Sequence, residues 1–183
     1  MTRNEALSIL KEYTKSESLL KHAYAVEAAM RAYARKFGED EELWGVVGLL
    51  HDFDYEQFPD QHPYKGSEIL AKKGIPEEIR KAIMGHADYT GVARETRMAK
   101  TLYAVDELSG FITAVTLVRP NRALSEVKVK SVRKKMKDKR FAAKVNREEI
   151  VRGAEELGVD FAEHVEFVTS AMSSVASELG LNP

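Results

Sequence analysis

Four histidines and two aspartates within the first 106 positions carry the chemistry open to this chain: His22, the adjacent pair His51-Asp52, His62, His86 and Asp106. Imidazole and carboxylate together form the donor set of divalent transition metals. The mixture suits manganese, iron, cobalt, nickel or zinc, with magnesium also admissible. The chain contains no cysteine. Disulfides, thiolate catalysis and cysteine-ligated zinc are therefore excluded, and histidine and carboxylate remain as metal ligands. The adjacent pair is the sharpest element. Neighbouring side chains on a helix diverge, so His51 and Asp52 reach one ion only if the helix stops there, and Phe53 to Asp60, with Pro59 inside it, reads as such a stop.

The elements that must position these residues follow from periodicity and caps. Thr14-Lys15-Ser16-Glu17 reads as a capping box. It predicts a helix running to Phe37-Gly38 whose apolar stripe is Leu19, Ala23, Val26, Ala29, Met30 and Tyr33, with His22 at the edge of the stripe. Asp40 caps a helix built from Leu43, Trp44, Val46, Val47, Leu49 and Leu50 and ending near His51; its Gly45 and Gly48 suit close helix packing. A loop covers 53–61. Pro63 suits a first helical position, Gly74 ends that helix, and Pro76 opens the next, which reaches about His86. A long helix from about Glu95 to Val118 holds Asp106 among Leu102, Val105 and Leu108, and two more helices span about Arg147 to Leu157 and Phe161 to Leu179. The fold class is all-α, with Val127 to Val129 the nearest approach to a strand.

Each residue also has a plainer reading. A lone histidine on an apolar face, as His22 is, is more often half-buried and bonded to a carbonyl. Asp106 among leucines would be desolvated at a cost of several kcal/mol unless paired, with a metal or with Arg94 or Lys100. His62 reads otherwise as a solvent-facing loop residue and His86 as an imidazole at a helix end. If both bind metal, they supply a second ion and Asp52 bridges the two; if neither does, the site is mononuclear through His22, His51, Asp52 and Asp106. His164, among Phe161, Val165, Phe167 and Val168, reads as structural or surface.

The order His, His-Asp, Asp over about residues 16 to 118 resembles the HD superfamily of metal-dependent phosphohydrolases. His62-Pro63-Tyr64-Lys65-Gly66-Ser67-Glu68-Ile69-Leu70 is similar to the His-Pro-x-x-Gly-x-x-Ile-Leu segment of its two-metal, HDIG-like branch. Met84-Gly85-His86 resembles that branch's next histidine, and Asp106-Glu107-Leu108-Ser109-Gly110 the segment with its last carboxylate. The resemblance implies a compact multi-helix HD-type domain over 1–120, with 121–183 as a basic segment and C-terminal helices packing on it. It also implies metal-dependent hydrolysis of a phosphate ester, mono- or diester, of a nucleotide or related small molecule. Lys65, one turn after His62, is then the candidate cation for the non-bridging oxygens, and Asp54 the candidate carboxylate to orient a water or a ligand histidine. Within the same superfamily a di-iron oxygenase is the alternative enzyme, and a regulatory helical module the non-catalytic one. Phe53-Asp54 stands where many relatives place Ile-Gly, and no Gly-Tyr-Pro follows His86, so cyclic-dinucleotide hydrolysis is not implied.

Bulk properties agree with a globular protein. The 183 residues are 44% hydrophobic and 31% charged, with a formal net charge of −1, and can bury a sizeable core. No apolar run approaches the ~20 residues of a membrane span, and the polar start lacks a signal-peptide core, so a cytoplasmic location is expected. Nucleic acid is not an expected partner: the one strongly basic stretch, from Lys128 to Arg147 with Asp138 its only acid, is nearly free of aromatics. It reads as a solvated face or as a rim attracting an anionic substrate, with Lys128 and Lys130 toward the site mouth and Lys134 to Arg140 extending outward.

Overall fold

Thr2 and Glu5 close the capping box that starts the chain: Glu5 N donates to the Thr2 hydroxyl at 3.3 Å, and Thr2 N to the Glu5 carboxylate at 2.7 Å. It opens α1 (Arg3–Tyr13). The computed structural model describes residues 1–183. The box expected at Thr14 does not form, because Thr14 is buried and its hydroxyl donates to the Phe53 carbonyl at 3.0 Å. α2 (Glu17–Phe37) starts instead after Ser16, which makes no side-chain cap bond, and ends at Gly38 with φ +70.

α3 (Glu41–Leu50) is capped by Asp40, whose carboxylate accepts from Leu43 N at 3.0 Å. It lies against α2 along its glycines. A Cβ at Gly48 would stand 2.8 Å from Glu27 Cα, so only glycine lets the backbones approach there, while one at Gly45 would displace the Arg31 guanidinium. Then come α4 (Tyr64–Lys72) and α5 (Glu77–Met84). α6 (Arg97–Leu117) begins two residues later than expected, because the Thr96 hydroxyl accepts from Ala99 N and sets the start there.

A 3-10 turn (Leu124–Glu126) precedes the basic stretch, which offered no helical signal but contains α7 (Val129–Met136), anchored by buried Val132. There is no strand. α8 (Arg147–Leu157) lies along α6, where Gly153 allows contact with the Ala104 backbone. The last expected helix breaks near Val175 into α9 (Phe161–Ser173) and α10 (Ala176–Leu179). Both pack on α2, and one hydrophobic core runs from Ala6 to Leu181. α6 is its axis: Leu102, Val105, Leu108, Phe111 and Ile112 are fully buried, each contributing about 1.5–3 kcal/mol. No helix is long and apolar enough to cross a membrane.

Candidate metal centre

α3 ends at Leu50, and turns follow through Gln57, which lets two adjacent side chains face the same space. The His51 ring is completely buried, and its Nδ1 donates to the Gly48 carbonyl at 2.7 Å. Nε2 is thereby left as the free donor atom. It stands 3.2 Å from Asp52 Oδ2 and 3.2 Å from Asp106 Oδ1. His22 comes in from α2, its Nε2 2.9 Å from Asp106 Oδ1 and 4.0 Å from Asp52 Oδ2.

A second group gathers around the other oxygen of Asp52. His62 Nε2 and His86 Nε2 each stand 3.1 Å from Asp52 Oδ1, and 3.2 Å from one another. Their other nitrogens are occupied. His86 Nδ1 donates to the Ile83 carbonyl at 2.5 Å, and His62 Nδ1 to Asp54 Oδ1 at 2.6 Å. Asp54 is itself buried and its Oδ2 accepts from Gly66 N at 2.7 Å; a Cβ at Gly66 would lie 2.8 Å from its Cγ. Two unprotonated Nε2 atoms facing each other at this separation repel unless a cation or an extra proton lies between them.

The ligand-type atoms of His22, His51, Asp52 and Asp106 lie within 4.8 Å of one another, as do those of Asp52, His62 and His86. The donor set, and the fixed tautomers behind it, fit a divalent transition metal in each group. The expected alternative partners of Asp106 are not used: Arg94 pairs with Glu156 at 2.7 Å and Asp88 at 3.0 Å, and Asp106 faces imidazoles.

Electrostatics agree with a site built for positive charge. Burial opposes a proton on His51, but the carboxylates of Asp52 and Asp106 outweigh it and raise its pKa well above the usual value. Burial likewise opposes a proton on His62, yet hydrogen bonds to Asp52 and Asp54 raise it to about 9. For Asp52 and Asp106 burial would favour the neutral acid, but the charge of His51 and the imidazole hydrogen bonds hold both well below the carboxylate range.

The cavity above these residues has a volume of about 610 Å³, and its outer wall includes Tyr55, Asp88, Tyr89, Glu107, Lys144 and Glu149. Lys65 is not on that wall: its ammonium lies 3.2 Å from Glu68 and over the Phe58 ring. Lys128 and Lys130 are not on it either. The one lysine that lines the cavity is Lys144, carried on a loop gathered by Arg147, whose guanidinium donates to the carbonyls of Asp138, Phe141, Ala142 and Val145. Asn146 N ties the same loop to Glu107 at 3.1 Å. Burial and the neighbouring Asp106 push the Glu107 carboxyl up to about 7. Composition had marked the basic stretch, but nothing in it distinguished Lys144 from its neighbours.

His164 stands apart from the cavity. It is buried, receives the Tyr33 hydroxyl on Nδ1 at 2.5 Å and donates from Nε2 to the Ala104 carbonyl at 2.9 Å, a structural link between α2, α6 and α9.

A family model described as HD domain matches residues 19–110, a span that contains all six clustered histidines and aspartates. No solved structure matches the chain.

Proposed function

The chain belongs to the HD-domain family, and from that membership we propose that it is a metal-dependent phosphohydrolase with a binuclear centre, cleaving the phosphate ester of a nucleotide or a related small molecule. The observation that carries this reading is Asp52. Its two oxygens face different donors, Oδ2 toward His51 and His22 and Oδ1 toward His62 and His86, the placement expected of a bridging carboxylate. His22, His51 and Asp106 would complete one site, His62 and His86 the other, with manganese, iron, cobalt, nickel or zinc as occupants. When bound, such ions supply positive charge to a phosphoryl group and lower the pKa of an attacking water.

The chain's own residues do the rest. Asp54 holds the His62 ring through Nδ1, fixing which nitrogen faces inward. Gly48 and Ile83 do the same for His51 and His86 through their carbonyls. Lys144, in place of Lys65, is the cation for the non-bridging oxygens, since it lines the cavity and Lys65 does not. Tyr89, whose hydroxyl donates to the His62 carbonyl at 2.5 Å, walls the mouth beside it.

The test is elemental analysis of protein purified without chelators, followed by a phosphatase and phosphodiesterase panel with added manganese. About two ions per chain are expected, with phosphate release that stops on chelation and returns with metal. Iron-dependent oxygen consumption without ester cleavage would overturn the proposal in favour of a di-iron oxygenase. Absence of both activities in the metal-loaded protein would favour a regulatory module.

A further inference from the structure

A second cavity of about 660 Å³ lies on the other side of His22 and Gly110, which line both it and the metal cavity. Gly110 puts no side chain between them: a Cβ built there meets only His22 Cε1, at 3.9 Å. The second chamber is walled by α2, by the C-terminal turns of α6, and by Leu179 to Leu181 at the end of the chain. Beside His22 and the Glu17–Lys21 pair, its polar groups are the hydroxyls of Ser16, Ser18 and Thr113; its apolar wall is buried Leu179 and Leu181 with half-exposed Leu117. Its only cation, Lys21, is neutralised by Glu17 at 2.7 Å.

Such a lining matches an uncharged group with an apolar face and hydroxyls at its edge, and the volume is that of a chamber for a ring system of small-molecule size. A second phosphate finds no free cation there. On the metal side, Asp88 is paired with Arg94 and Arg152, and Lys144 is the one lysine on a wall it shares with Glu107 and Glu149, which offers little positive charge for a polyphosphate tail in that direction as well. Thr113, Leu117 and Leu179 to Leu181 lie outside the matched family span of residues 19–110.

We infer that this chamber binds the alcohol part of the substrate, an uncharged hydroxyl-bearing ring, while the phosphate reaches the metal cavity across Gly110. The inference deepens the phosphohydrolase reading and rests on it for the phosphate end alone. Adenosine is a suitable probe, because it carries the ring and hydroxyls without phosphate. Calorimetry on the manganese-loaded protein should show adenosine binding that weakens at least about tenfold in Thr113→Trp, which fills the chamber from α6. Ser18→Trp should do the same from the opposite wall; Ser18 is exposed on α2, so this variant keeps the fold if Thr113→Trp does not. In kinetics, both variants should raise KM for adenosine 5′-monophosphate by a similar factor while shifting inhibition by inorganic phosphate less than about twofold.

No adenosine binding to the unmodified protein, or equal binding in folded variants, overturns the inference. Binding lost in a folded variant while no phosphate ester is turned over keeps the chamber and removes the phosphohydrolase reading. Turnover of adenosine 5′-monophosphate that is indifferent to both tryptophans does the reverse.

Discussion

At the scale of single residues, the centre depends on which nitrogen of each ring is free, and that is decided by atoms behind the rings. Gly48, Ile83 and Asp54 take the Nδ1 hydrogens of His51, His86 and His62, so three Nε2 atoms converge on Asp52. Asp52→Ala removes the shared carboxylate from both groups. Its expected outcome is loss of hydrolysis and of bound metal with helix content retained, checked by elemental analysis beside circular dichroism; full activity at unchanged metal content would rule out the bridging role. Replacing His62 and His86 together by alanine should lower bound metal from about two ions per chain to about one. If the unmodified protein never exceeds one equivalent when saturated with manganese or iron, the centre is mononuclear. The six clustered residues were legible in the sequence because ligand types and their order are local facts. Lys65 was misplaced because proximity in sequence to His62 says nothing about which way a lysine runs, and here Glu68 and the Phe58 ring draw it aside.

At the scale of elements, apolar periodicity, the Asp40 cap and proline and glycine punctuation made α2, α3, α5 and α8 readable to within about three residues. α1 was missed, although Thr2 and Glu5 form its capping box, because the nearby Thr14 and Glu17 have the same spacing and only tertiary structure decides that Thr14 turns inward to Phe53. α7 was missed because one buried residue, Val132, holds it. The α2–α3 contact gives a direct test. Gly48→Ala places a methyl 2.8 Å from the Glu27 backbone, so the helices must separate, and a loss of about 1–3 kcal/mol is expected in denaturant unfolding. An unchanged midpoint would show that the pair has slack. The loop gathered by Arg147 gives another. Lys144→Ala should raise KM and weaken the fall of kcat/KM with added salt, while Lys65→Ala changes neither. Equal salt dependence in Lys144→Ala and the unmodified protein would return the basic stretch to a solvated surface.

At the scale of the whole molecule, residues after 120 share the core with those before it, and the link through His164 shows how. Burial lowers the pKa of this imidazole from its usual 6.5, and it stays neutral between Tyr33 and Ala104. The folded pKa lies below the unfolded one, so the unfolded chain binds the proton first as pH falls. The stabilisation is therefore present above pH 6.5 and is lost below it. Thermal unfolding of the unmodified protein should show a steeper loss of stability below pH 6.5 than His164→Gln, and parallel curves would mean that the ring accepts a proton in place. This long-range link was invisible in sequence, where His164 read as surface or structure with equal ease; its partners lie 131 and 60 positions away.

Gly48 joins these scales, since a Cβ there would collide with the Glu27 backbone while its carbonyl orients the His51 ring. A substitution there is filtered twice, once by folding and once by chemistry. Stabilising this protein by redesigning the α2–α3 contact therefore carries an obligation to restore the His51 tautomer, and improving the metal site through residue 48 carries the reverse one. Repacking where α8 and α9 meet α6 avoids Gly48, but it must respect Asp106, two residues from the Ala104 backbone that Gly153 and His164 touch.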